Sequence, residues 1–270
     1  MSEILFAKYD KELKEFQEWL NSKPHLPANI DKLLLLRYLN VNDFNLEEAK
    51  KLLLLNLDMR RDNPNIFANR DVSDDAFQRI HHTLQIFPMP RNTSENFKIS
   101  ISRLVDTNPD NYVYLDLVRA VVSMLDTRFV TLDSNELING EIGIIDMSGF
   151  GWKHFMKTAS NISIMKKYMR YVHEAVPFKV VQNHFVNCSP TMERLISFMK
   201  PFMKQEILDS IKFHSSTETL FEYIPKDLLP DEFGGTAGKC DDHHKNWLKV
   251  VESKRDYIMN DNNWMVVDEL

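Results

Sequence analysis

Up to about residue 90 the apolar residues of this chain recur at helical spacing; beyond Asn92, strand periodicity and helical periodicity alternate. That change of period limits the fold, because residues patterned for one face of a helix cannot cover a pleated sheet. In the first part Tyr9, Leu13, Phe16 and Leu20 share one helical face, and Ser22-Lys23-Pro24 ends it, since proline cannot continue a helix. A second helix is expected from about residue 31 to 39. A third starts at Asn45, an N-cap with Glu48 three residues on, carries Leu46, Ala49, Leu53 and Leu57 inward, and ends before Pro64. A fourth is expected from near Ser73 to just before Phe87-Pro88-Met89-Pro90, and those two prolines mark the expected domain boundary.

Residues 97–102 alternate with period two, a strand signal. Leu115, Val118, Val122, Leu125 and Phe129 repeat at three and four, so 112–130 reads as a helix, although 112–118 alone would pass for a strand. The apolar run 142–145 reads as a buried strand. A helix over 152–176, a strand over 178–187 and an amphipathic helical region opening at Pro190 follow, with Pro201 expected to kink or split the last. A short strand at 211–214, a helix from about Thr217 and a final helix over roughly 243–258 complete the pattern. Strands separated by helices predict an α/β fold with a mostly parallel sheet behind a helical N-terminal bundle.

At 270 residues and net charge −6, the chain lacks the basic balance of a general nucleic-acid binder, and no nucleic-acid partner is expected. The opening MSEILFAKYDKELKEF interleaves charges with apolar residues, unlike a signal peptide, and no stretch reaches the ~20 apolar residues of a membrane span. Cys188 and Cys240 make no disulfide framework and are expected to be small buried or half-buried residues. A soluble, reduced, cytoplasmic protein is the expectation.

Candidate chemistry is sparse. Asp146-Met147-Ser148-Gly149-Phe150-Gly151 follows a strand and precedes a helix, but the third glycine of a dinucleotide fingerprint is missing and Trp152 follows directly. Ser148 lacks the first glycine of a nucleophile elbow. The plain reading is a turn needing positive φ at Gly149. The pairs His81-His82 and His243-His244 point about 100° apart on a helix, so they do not converge on one ion and read as solvated residues. No metal, cofactor or catalytic residue is expected. Thirteen methionines, several at helical spacing in 147–203, fit either core filling or the lining of a deformable apolar cavity.

Several strings in order resemble the CRAL-TRIO (Sec14-like) lipid-binding family, in the insect branch related to α-tocopherol transfer protein. They are Leu34-Leu35-Leu36-Arg37-Tyr38-Leu39 with Phe44-Asn45-Leu46-Glu47-Glu48-Ala49-Lys50, and Arg60-Arg61-Asp62-Asn63-Pro64-Asn65-Ile66-Phe67. Gly140-Glu141-Ile142-Gly143-Ile144-Ile145-Asp146 continues them, then Pro177-Phe178-Lys179-Val180 with His184-Phe185-Val186-Asn187-Cys188-Ser189-Pro190. Lys200-Pro201-Phe202 and Leu229-Pro230-Asp231-Glu232-Phe233-Gly234-Gly235 complete the set. The resemblance implies a helical N-terminal domain over 1–90, a lipid-binding domain over 91–240 whose sheet floors an apolar cavity, and a C-terminal helix and tail over 241–270. It makes the glycine turn a structural corner and Asp146 a packing or capping residue.

The resemblance further implies polar handles at Ser102, Ser123 and Thr127, and apolar wall at Ile145, Tyr168, Val172, Phe178, Val180 and Met199. Gln182-Asn183 interrupts an apolar strand, and one of the two amides is expected to face the cavity. A mobile gate over 192–207 would present Met192, Leu195, Ile196, Met199, Phe202, Met203 and Ile207 inward, and would meet a membrane transiently when open. Phosphoinositide-binding relatives carry a basic rim. Here Lys179 remains, but Val181, Glu206, Ser210, Asn40 and Asn42 stand at the other rim positions, which removes attraction to anionic lipid. The implied function is carriage of a hydrophobic small molecule (tocopherol, retinoid, carotenoid or another isoprenoid) between membranes by a monomer, without catalysis. A phospholipid-binding regulator is the alternative, and an α/β hydrolase a third reading. The resemblance names no protein partner.

Overall fold

A computed structural model describes residues 2–27, 29–132, 136–264 and 266. The N-terminal part is helical: α1 (Ser2–Lys8), α2 (Asp10–Asn21), α3 (Lys32–Val41), α4 (Leu46–Arg61), the single turn α5 (Pro64–Phe67) and α6 (Asp75–Thr83). Side-chain caps set three of the starts. Asp31 accepts from Leu33 N at 2.7 Å, Asn45 from Glu47 N and Glu48 N, and Asp74 from Phe77 N. Leu13, Phe16 and Leu20 are buried as the periodicity predicts, but Tyr9 sits in the break between α1 and α2.

The fourth helix ends earlier than the sequence suggests. Residues 84–88 form an edge strand, β1 (Leu84–Pro88), paired antiparallel with β2 (Phe97–Leu104). Proline at the end of an edge strand has no ladder partner to lose. The sheet therefore begins six residues before the expected boundary at residue 90, and the three-part division of the chain remains a proposal. β3 (Gly140–Asp146), β4 (Val180–Val186) and β5 (Ile211–His214) follow in parallel, in the order β1-β2-β3-β4-β5.

Between these strands run α7 (Tyr114–Phe129), the pair α8 (Trp152–Ser160) and α9 (Ile162–Glu174), then α10 (Pro190–Met199) and α11 (Gln205–Ser210). Three successive parallel crossovers that step the same way across a sheet, all right-handed, place their helices on one face. The other face carries Ile99, Ile101, Ile142, Ile144 and Val186. It packs on Leu220, Ile224, Leu229 and Phe233 of the chain after β5, and on α12 (Cys240–Ser253). α13 (Arg255–Met259) ends the helical run.

Two helices expected to be continuous are broken. At Asn161 the side-chain amide takes the Lys157 carbonyl at 2.8 Å, a local bond that competes with the helical ladder and separates α8 from α9. Lys254 separates α12 from α13, and α12 starts at Cys240, whose N–H donates to both carboxylate oxygens of Glu232 at 3.0 and 3.1 Å. The segment expected to be helical from Thr217 is a 3-10 turn, Thr217–Glu222. Pro201 divides its region as predicted, with a 3-10 turn at Lys200–Phe202 between α10 and α11.

The Asp146–Gly151 corner is structural. Asp146 Oδ1 accepts from Ser148 N and Asn187 Nδ2, both at 2.9 Å. Gly149 has φ +76°, and a Cβ there would lie 2.2 Å from Thr107 Cγ2. The histidine pairs depart from the solvated reading. His81 and His244 are buried with their rings 5.3 Å apart, because α6 and α12 both turn one histidine toward β1. Cys188 is half-buried and Cys240 buried, both as free thiols.

Candidate functional site

The helices on the crossover face do not pack flat against the sheet. Between them lies an apolar cavity of two lobes, about 320 Å³ and about 220 Å³. The lobes share wall at Ile86, Ser102, Val121, Ile145, Tyr168, Val172, Val180 and Asn183. Both volumes together fall in the size range of small-molecule sites, roughly 300–1,000 Å³.

The floor follows from strand alternation. Ile86 of β1, Ser100 and Ser102 of β2, Glu141, Gly143 and Ile145 of β3, and Asn183 and Phe185 of β4 point one way. One wall is α7, which offers Leu117, Val121, Met124, Leu125 and Arg128, a stripe at helical spacing. A second is α9, with Tyr168, Met169, Val172 and His173. The roof over the larger lobe is α10 and its continuation: Met192, Leu195, Ile196, Met199, Met203 and Ile207. On the outer side of that roof Arg194 and Lys200 are exposed.

Most residues singled out by the resemblance lie on this surface. Ser102, Ile145, Tyr168, Val172, Val180 and Asn183 line both lobes; Phe178 lines the smaller and Met199 the larger. Ser123 and Thr127 do not. They sit on the side of α7 turned away from the stripe and are fully buried. Thr127 Oγ1 donates to Ser123 O at 2.9 Å, and Ser123 Oγ donates to Arg119 O at 3.0 Å. The polar side chains of the smaller lobe include residues the sequence pattern did not single out. Arg128 Nη2 donates to Glu141 Oε1 at 2.5 Å, and Ser100 Oγ donates to Glu141 Oε2 at 3.2 Å, all within the smaller lobe. The signal was legible in Glu141, a charge inside an apolar strand.

Of the two adjacent amides only Asn183 faces the cavity. Its Nδ2 donates to Ser210 Oγ at 3.3 Å, which joins the end of α11 to the floor. Gly143, its register partner on β3, leaves the room it needs: a Cβ there would lie 2.7 Å from Asn183 Oδ1. Gln182 points to the opposite face, where Oε1 is 3.0 Å from His184 Nε2. His184 Nδ1 in turn lies 2.8 Å from His214 Nε2. Burial first, then His214 beside it, lowers the His184 imidazole to about 4. Phe202 is outside the lining and packs under Lys166, whose Nζ lies 4.7 Å from the ring centroid.

A profile described as CRAL/TRIO domain matches residues 83–235, more than half the chain. The chain belongs to the CRAL-TRIO family. Its members are lipid-binding and lipid-transfer proteins. A second profile, described as Pinta-like, UBA domain, matches residues 5–77 of this CRAL-TRIO protein. It is 25% identical over 273 residues to the alpha-tocopherol transfer protein-like protein of Mus musculus, covering 96% of this chain and 77% of that one. It is 28% identical to clavesin-1 of Xenopus laevis over 236 residues, 86% of this chain and 69% of the other. A crystal structure of Sfh5 aligns over 84% of this chain and 81% of its own at 14% identity and a TM-score of 0.47. Among the described residues no helix is long and apolar enough to cross a membrane, and no three His, Cys, Asp or Glu side chains are grouped to hold a metal ion.

Proposed function

We propose that this CRAL-TRIO protein carries one hydrophobic small molecule of the tocopherol, retinoid, carotenoid or wider isoprenoid class between membranes, binding and releasing it without chemistry. The two-lobed apolar cavity under α10 carries the reading, supported by the likeness to proteins named alpha-tocopherol transfer protein-like. Extracting such a molecule through water costs about 25 cal/mol per Å² of exposed apolar surface, so a closed carrier speeds its passage. Residues 192–207 act as the gate: their apolar side seals the larger lobe and would enter lipid when the segment swings away.

A surface beside the gate suits transient contact with a bilayer. Trp152 and Met156 of α8 are 49% and 48% exposed, and the Arg194 guanidinium of α10 lies 5.5 Å from the Trp152 ring centroid. Exposed aromatic and thioether groups beside cations favour the headgroup boundary, where binding is shallow and reversible. The protein then works as a cytoplasmic monomer, peripheral on membranes.

Organic extraction of the purified, folded protein followed by mass spectrometry tests this. One apolar compound at close to one equivalent is the expected result. A phospholipid would turn the reading toward a lipid-presenting regulator. An empty protein that also refuses isoprenoids and phospholipids would refute carriage.

A further inference from the structure

The smaller lobe is not uniformly apolar, and its polar groups are of a particular kind. Arg128 and Glu141 are 5% and 8% exposed, and they meet there as an ion pair at 2.5 Å. Ser100 Oγ joins the pair through Glu141, and Asn183 lies across the floor beyond Gly143 in the same cross-strand row. Trp247 of α12, which passes the edge strand β1 and also meets α7, lines the same lobe, and its buried indole N–H has no hydrogen-bond partner among the described residues. The larger lobe, under the gate, is lined chiefly by methionine, leucine, isoleucine and aromatic residues. The buried ion pair thus lies in the smaller lobe, while the larger lobe, chiefly apolar, has Arg103, Asp146 and His173 in its lining.

A buried ion pair is a costly way to line a lipid site, and a hydrocarbon gains nothing from it. What it offers is paired donors and acceptors. A ligand hydroxyl there finds an acceptor in Glu141 or Ser100 and donors in Arg128 or the indole N–H. A ligand carbonyl finds the donors alone. A ligand carboxylate is treated differently: Glu141 already holds Arg128, so a second carboxylate would sit against the first in a medium that screens poorly.

We propose that the Arg128–Glu141 pair, with Ser100 and Trp247, forms a recess for the polar terminus of the ligand. The recess accepts a neutral hydroxyl or carbonyl, rejects the corresponding carboxylate, and orients the ligand with its apolar chain toward the gate. This rests on the carrier reading and adds to it the ligand's charge and direction.

Three C20 isoprenoids of one skeleton test it: phytane, phytol and phytanic acid. Each is offered in phosphatidylcholine vesicles to delipidated protein at pH 7.5, and protein-bound ligand is measured. Comparing variants against the same vesicles cancels the bilayer reference. In Glu141→Gln the amide keeps the shape but removes the carboxylate charge that faces Arg128. Loading of phytanic acid relative to phytol should rise about tenfold or more, the factor expected from one charge-assisted hydrogen bond. In Ser100→Ala phytol loading should fall about threefold, as for one neutral hydrogen bond. Phytane loading should be the same in wild type and both variants, which also reports that the variants fold. An acid-to-alcohol ratio unchanged by Glu141→Gln, with phytane still loading, overturns the recess and leaves the carrier standing. No loading of any of the three by wild type overturns both.

Discussion

His81 shows how a single buried side chain can set the pH response of the fold. Its ring lies 4.2 Å from Phe77 and 5.3 Å from His244, and neither ring nitrogen finds a hydrogen-bond partner among the described residues. Burial first, then the neighbouring His244, lowers its imidazole to about 3. The unfolded chain takes up a proton near pH 6.5 that the folded protein refuses until about pH 3. The unfolded state therefore binds more protons across that window, and stability falls as pH drops through it, by up to about 1.4 kcal/mol per unit for each such group. Above pH 6.5 the group has no such effect. His81→Leu should flatten the loss of stability between pH 7.5 and pH 5.0, measured by urea denaturation, with His184 supplying a slope that remains. An equal loss in both proteins would show that His81 is protonated in the folded state. Nothing in the sequence marked His81 as buried and His82 as not, because the distinction depends on where α12 packs.

At the scale of elements, the proposed gate is the piece whose behaviour can be tested without breaking the fold. α10 turns Met192, Leu195, Ile196 and Met199 toward the cavity, and Met203 and Ile207 continue the lining after the Pro201 turn. Aspartate at Met199 and Met203 would place two charges against apolar walls, a cost of several kcal/mol that opening the segment relieves. The double variant should keep its far-UV circular dichroism and lose at least about tenfold in uptake of phytol from vesicles, on that cost. Undiminished uptake would remove residues 192–207 from the role of gate. Proline made the division of this segment legible, since its effect on a helix is local. The Asn161 break and the edge strand β1 were not legible. Asparagine is found inside helices as well as at their ends, and a five-residue strand ending in proline becomes a strand only when β2 lies beside it.

For the whole molecule, one buried cluster ties the helical N-terminal part to the crossover face. Arg60 of α4 meets Asp126 of α7 at 2.6 and 3.0 Å, donates to Tyr171 of α9 at 2.6 Å, and lies 4.3 Å from the Trp264 ring centroid. Arg70 reaches the same carboxylate at 2.7 Å. Burial pushes the Asp126 carboxyl up, but the two guanidiniums outweigh it and hold it below the usual range. Removing that charge leaves two arginines buried without it. Asp126→Asn should cost about 3–5 kcal/mol in urea denaturation, on the precedent of broken buried pairs. Because α2, α3 and α4 share one core with α7 and α9, wild-type tryptophan fluorescence and circular dichroism should give coincident transitions. Separated transitions would mean that the two parts unfold independently.

The sequence by itself determined the periods, and through them the α/β class, the helical start, the cap at Asn45, the glycine corner and the residue types of a cavity wall. These depend on neighbours within one or two turns, where backbone preference and side-chain spacing act directly. Only the tertiary structure decided which face of α7 meets the cavity. Ser123 and Thr127 were as apt by type as Arg128, but they lie off the cavity stripe of α7, roughly 100° or more around the helix from its centre. It also decided that Glu141 meets Arg128 inside the cavity rather than in water, and that His81 meets His244. Those outcomes depend on contacts between distant segments, whose geometry is set by the right-handed crossovers and by packing rather than by any local signal.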